Sequence, residues 1–113
     1  MKKLDFQDKR FSLIENSEKG TVNKDTVFEF QQTGDLVTAA YYGGPIKLGK
    51  IIALLKKDTL DMRYHCITSE NELKAGKAMA KISHTDLGKI KLTLRWEWLD
   101  SSNEKGISEY LEN

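Results

Sequence analysis

Apolar and polar residues alternate most strictly over Lys89–Leu99, KIKLTLRWEWL. Ile90, Leu92, Leu94, Trp96 and Trp98 fall on one face of an extended chain, and Lys91, Thr93, Arg95 and Glu97 on the other. A period of two filled with β-favouring residues predicts a strand with one dry face and one wet face. At roughly 3.3 Å per residue it runs on the order of 30 Å, the length of a meander or barrel wall.

Other stretches read as partners for this strand. Phe11–Asn16 is a short strand with Phe11, Leu13 and Glu15 on one side. Over Thr26–Gln32, Phe28 and Phe30 oppose Glu29 and Gln31. Thr33-Gly34-Asp35 is a tight-turn cue before the run Leu36–Tyr42, which makes the two runs a hairpin. Leu60–Ile67 places Leu60, Met62, Tyr64 and Cys66 against Asp61, Arg63, His65 and Ile67. Polar connections separate these runs: an entry arm over Met1–Arg10, a loop turning at Gly20, Gly43-Gly44-Pro45, Ser69–Glu72 and Asp100–Lys105. Pro45, which cannot donate to a ladder, sits at a strand start or in its turn.

Some segments admit a helix. In GKIIALLKK, Ile51, Ile52, Leu54 and Leu55 also fit one helical face. LKAGKAMAK is rich in helix formers, and Ile107, Tyr110 and Leu111 stand at helical spacing. Gly49 and Gly76 lie near or inside these segments, and the connections are hairpin-sized, which favours antiparallel neighbours. The expected architecture is therefore all-β: one domain over residues 1–113, an antiparallel up-and-down meander of about eight strands. Closing it into a small lipocalin- or avidin-like barrel removes the sheet edges. An α+β roll with one helix covering the sheet is the alternative.

Composition narrows the function more than it names it. The chain of 113 residues has 39% hydrophobic and 31% charged residues, enough for one core. Its 18 basic and 17 acidic residues are mixed along the chain, so no basic block offers itself to nucleic acid. No apolar run reaches the roughly 18 residues of a membrane helix. The charged start MKKLDFQDKRF lacks the apolar centre of a signal peptide, and the lone Cys66 suits a reducing compartment. A cytoplasmic protein without nucleic-acid or membrane partners is the expectation.

The order YYGGPIKLGKIIALL, LDMRYHCI, ELKAGKA, LRWEWL and GISEYLEN resembles a family of small bacterial proteins often labelled N-acetylglutamate synthase. The resemblance covers most of the chain from Thr26 onward, and DMRY followed by the WEW strand is its most specific part. It implies a small β-barrel-like domain and, through the label, acyl transfer. Acetyl-coenzyme A transferases hold a pyrophosphate on a Gln/Arg-x-x-Gly-x-Gly/Ala loop at a helix start. The nearest stretch here, Leu73–Ala78, has Gly76 and Ala78 in place but Leu73 where Gln or Arg belongs.

The candidate site is aromatic. Phe28, Phe30, Tyr42, Tyr64, Trp96 and Trp98 all fall on the expected inner face, where Tyr and Trp need partners for their O–H and N–H groups. Ala40 and Ala75 are expected to leave room among them. A small eight-stranded barrel is either filled by side chains or holds one small ligand. The leading expectation is thus a non-catalytic barrel that takes a small, mostly apolar or aromatic molecule, with Tyr42, Tyr64, Trp96 and Trp98 at its mouth. An acyl-transfer enzyme would instead need the polar groups Arg63, His65 and Glu97 to converge in a cleft. A structural module acting as a homodimer is the remaining alternative. Cys66 reads as a buried small hydrophobe, and His84 with Asp86 falls short of a metal ligand set. No cofactor is implied.

Overall fold

The alternation seen over Ile90–Trp98 repeats around a closed wall. In the computed structural model, which describes residues 5–16, 23–99 and 104–113, eight strands follow one another in chain order. They are β1 (Lys9–Asn16), β2 (Val27–Thr33), β3 (Leu36–Gly43), β4 (Ile46–Lys56), β5 (Thr59–Thr68), β6 (Leu73–His84), β7 (Ile90–Trp98) and β8 (Lys105–Glu112). Each pairs antiparallel with the next, and β8 returns to β1 with Leu13 opposite Tyr110, so no edge remains. The all-β barrel expected from the sequence is the fold. The connection expected to turn at Gly20, the first four residues of the entry arm and positions 100–103 lie outside the described residues.

The ambiguous segments are all strands. In β4, Ile51 and Ala53 point inward while Ile52 and Leu54 are exposed, which splits the apparent helical face between the two sides of the wall. The reason is pairing: Ile51 lies opposite both Ala39 of β3 and Tyr64 of β5. A helix there would leave both neighbours with open edges. Likewise Ile107 is exposed while Tyr110 is buried on the same strand.

Three parities differ from expectation. Glu15 does not continue the inner face of Phe11 and Leu13, because a bulge between Leu13 and Glu15 resets β1 and sets Glu15 beside outward-facing Glu109. In β3 the inner residues are Val37, Ala39 and Tyr41, so Ala40 and Tyr42 face outward; Ala75 of β6 is also outside. The run AAYY offers the same residue types to both faces, and the register against β2 and β4 decides between them.

The two ends of the barrel are built differently. At the end where β2–β3, β4–β5 and β6–β7 turn, the chain before β1 folds under the wall and inserts Phe6, fully buried against Phe11 and Phe30. Burying such a ring contributes roughly 2–3 kcal/mol. The Phe6 N–H donates to Gln32 Oε1 at 2.7 Å, and the Asp8 N–H to the Phe30 carbonyl at 3.0 Å. Residues 5–10 of the entry arm therefore form a floor rather than a free polar tail. Above it the core is packed: a void of only about 10 Å³ remains among Phe11, Phe28, Phe30, Ile51, Met62, Leu92, Leu94 and Tyr110. That space holds one water at most.

Charged groups seal the rim of this floor. Glu112 receives the Ile90 N–H at 2.9 Å and the Lys9 ammonium at 3.0 Å. Burial alone raises its carboxyl, but those two donors outweigh burial and hold it below the usual carboxylate range. On the outer wall, away from this rim, Glu109 is likewise held low, chiefly by its bond to Lys91, 3.0 Å away. A carboxylate with a lowered folded-state pKa stabilises fully above its unfolded-state value, and this stabilisation is lost as pH falls through the folded value. Stability should therefore erode as the pH drops below about 4.5. In thermal melts across acid pH, Glu112→Gln should lower the neutral-pH midpoint slightly and flatten the acid limb relative to wild type.

Candidate functional site

The opposite end gathers the β3–β4 and β5–β6 turns with the last residues of β1 and β7, and its inner wall is built from aromatic residues set on glycine. Tyr41 lies directly across from Gly49, so close that a Cβ there would stand 2.1 Å from the ring. Tyr64 covers Gly76 in the same way, at 2.6 Å. Each glycine lets a ring lie flat along the wall and reach the strand beyond it. The Tyr41 hydroxyl donates to the His65 carbonyl at 3.4 Å and neighbours Cys66. The Tyr64 hydroxyl reaches the β7 backbone at Glu97.

These rings form two groups. Phe28 stacks on Tyr41 and meets Tyr110 edge-on, both at 4.8 Å between centroids. Trp98 meets Tyr64 edge-on at 5.5 Å and Trp96 at 6.3 Å. Trp96 Nε1 donates to Ser108 Oγ at 2.7 Å. Trp98 is 5% exposed, and its Nε1 has no acceptor among the described residues. Leaving such a donor buried and unpaired costs about 1–3 kcal/mol. Tyr64 is only half-buried, which gives this end an accessible aromatic surface.

The electrostatics are simple. Burial pushes the phenols of Tyr41, Tyr64 and Tyr110 well above the ordinary tyrosine range, and it raises the Cys66 thiol as well. All four are neutral near pH 7. These four groups can donate and accept hydrogen bonds but carry no negative charge.

Of the aromatic residues expected to line the mouth, Tyr64, Trp96 and Trp98 come together at this end. Phe28 backs Tyr41 deeper in, and Phe30 belongs to the floor with Phe6. Tyr42 does not line the interior: it is 40% exposed on the outer face, and Tyr41, 3% exposed, takes its place. Lys74 was not singled out by the sequence; counting back in twos from Ile82 through Ala80, Ala78 and Gly76 places it on the inner face.

The polar candidates point outward. Arg63 and Glu97 share an outer groove of about 580 Å³ with Asp61, Lys77, Met79, Arg95, Lys105 and Ile107. Lys77 stands between them in register, opposite both. His65 is exposed farther along β5 and does not line that groove, so the three do not converge. The stretch Leu73–Ala78 is no phosphate loop, because it lies in β6 with Gly76 paired to Tyr64 on one side and Trp98 on the other. Among the described residues no three His, Cys, Asp or Glu side chains gather as a metal would need.

A closed, eight-stranded meander with an aromatic inner wall at one end is the frame in which the sequence comparison falls. The model of the family described as avidin-like protein matches residues 4–113. The chain belongs to the avidin-like family. Neither the curated proteins nor the solved structures yield a match. In this avidin-like barrel the family match spans the floor and the aromatic end alike.

Proposed function

We propose that this avidin-like barrel binds a small molecule at its loop end, against Tyr64 and Trp98. The observation that carries this reading is the buried Trp98 Nε1, a donor with no acceptor among the described residues, beside a half-exposed inner ring. Among the described residues the core toward the floor keeps a void of only about 10 Å³, which favours a ligand at this end. Family membership supports a barrel whose use is ligand binding rather than a solid core.

Tryptophan emission tests it, since Trp96 and Trp98 are the only indoles in the chain. Titration with a panel of metabolites, fatty acids and acetyl-coenzyme A should give one saturable shift or quench. In Trp98→Phe, which keeps an aromatic ring but removes the indole N–H, the response should shrink and affinity should fall about tenfold. Emission that stays blue and unresponsive across the panel would contradict ligand binding.

Self-association is a second reading, favoured by the outer wall of β3 and β4. Leu36 lies opposite Leu54 there, beside Ile52, which is 61% exposed. Adjacent exposed apolar side chains mark interaction surfaces. Light scattering at high concentration should give a dimer mass that Ile52→Lys returns to a monomer. A wild-type protein that stays monomeric would remove this reading.

A further inference from the structure

Two lysines occupy inward positions among the described residues, one at each end of the barrel. Lys9 stands two residues before Phe11 on β1, at the floor, and its ammonium is 3.0 Å from Glu112. Lys74 stands two residues before Gly76 on β6, at the loop end, opposite buried Cys66. Unlike Lys9, it has no carboxylate within ion-pair distance among the described residues. Its ammonium instead sits 4.3 Å from the centroid of the Trp98 ring.

One indole thus carries two unmet demands. Its face holds a cation with three donors and no acceptor, and its edge holds the orphan N–H of Trp98. Cys66, opposite Lys74 in the β5–β6 register, is kept protonated by burial and offers it no counter-charge. A cation–π contact is compatible with a counter-ion bound to the same ammonium, because the ring engages only one side of it. Charge-assisted hydrogen bonds to an anion are the strong ones available here.

We infer that the ligand of this end is a small organic anion, its charged group met by Lys74 and one acceptor atom by the Trp98 N–H, with its apolar body against Tyr64. This rests on the small-molecule reading above and adds the charge of the ligand. It makes Lys74 a specificity-determining residue rather than a surface lysine.

The test uses benzoate and benzamide, which share a ring and differ in charge. In nitrogen-15-labelled protein the two indole N–H signals are assigned with Trp98→Phe. Millimolar benzoate should move the Trp98 signal saturably, with about tenfold higher affinity than benzamide. Lys74→Gln should erase that preference, and Lys74→Arg should keep it. Lys74 is only half-buried, so both variants should fold as the wild type does. Equal affinity for the two probes, or a preference for benzamide, overturns the anion assignment and leaves a small-molecule site standing. A Trp98 signal that neither probe moves overturns both readings.

Discussion

Phe6→Ala is expected to lower the thermal midpoint by about 10–15 °C, the largest single effect of any exposed-arm or floor substitution. Phe6 is fully buried although it precedes the first strand, and its ring packs against Phe11 at 6.0 Å and Phe30 at 5.6 Å. Removing a buried Phe costs about 3–4 kcal/mol when the surroundings cannot collapse into the space. At this chain length each kcal/mol moves the midpoint by about 3–5 °C. Collapse is blocked here because Phe11 and Phe30 hang from paired strands, with Lys9 opposite Phe30 in the β1–β2 register. Phe6→Leu keeps most of the volume and should cost about 1 kcal/mol. Calorimetric melts of both variants check this. If Phe6→Ala melts with the wild type, the floor does not hold the barrel shut.

Gly49→Ala is expected to be nearly as damaging, although it adds a single methyl group. The new Cβ would stand 2.1 Å from Tyr41 Cζ, so the ring must move. It has little room to move, being 3% exposed and stacked on Phe28 at 4.8 Å. Overpacking of this kind costs about 2–3 kcal/mol. Gly76→Ala makes the matching clash with Tyr64, at 2.6 Å, but that ring is half-buried and can swing outward. It should cost about 1 kcal/mol in stability while displacing a ring of the proposed site, so binding should suffer more than folding. A double-mutant cycle separates the causes. In a Tyr41→Ala background, Gly49→Ala should lose most of its cost, because the clash has been removed. Additive costs would mean that the glycine matters for backbone reasons rather than for the ring above it.

The strand count and the closure were legible because β2, β5 and β7 alternate between unlike residues. Phe28 against Glu29, Met62 against Arg63 and Trp96 against Glu97 leave only one way round. The inner position of Tyr41 was not legible, since AAYY presents the same side chains to either face and register alone chooses. Glu15 was misplaced for a related reason: a bulge inserts a residue that a count in twos cannot see. Phe6 stands alone in a polar arm, without a period to announce its burial. The candidate site was half visible. Its indoles and Tyr64 were carried by the strongest alternation, whereas Lys74 emerges only once the phase of β6 is set by its ladders with β5 and β7.

The central claim is that ligand binding belongs to the inside of one end of this barrel and not to its outer wall. Mapping backbone amide shifts of the wild-type protein, titrated with whichever panel compound changes tryptophan emission most, tests it most directly. The account predicts that saturable shifts cluster at Tyr64, Cys66, Lys74, Gly76 and Trp98. Shifts centred instead on Lys77, Arg95, Lys105 and Ile107 would move the site to the outer groove and contradict it.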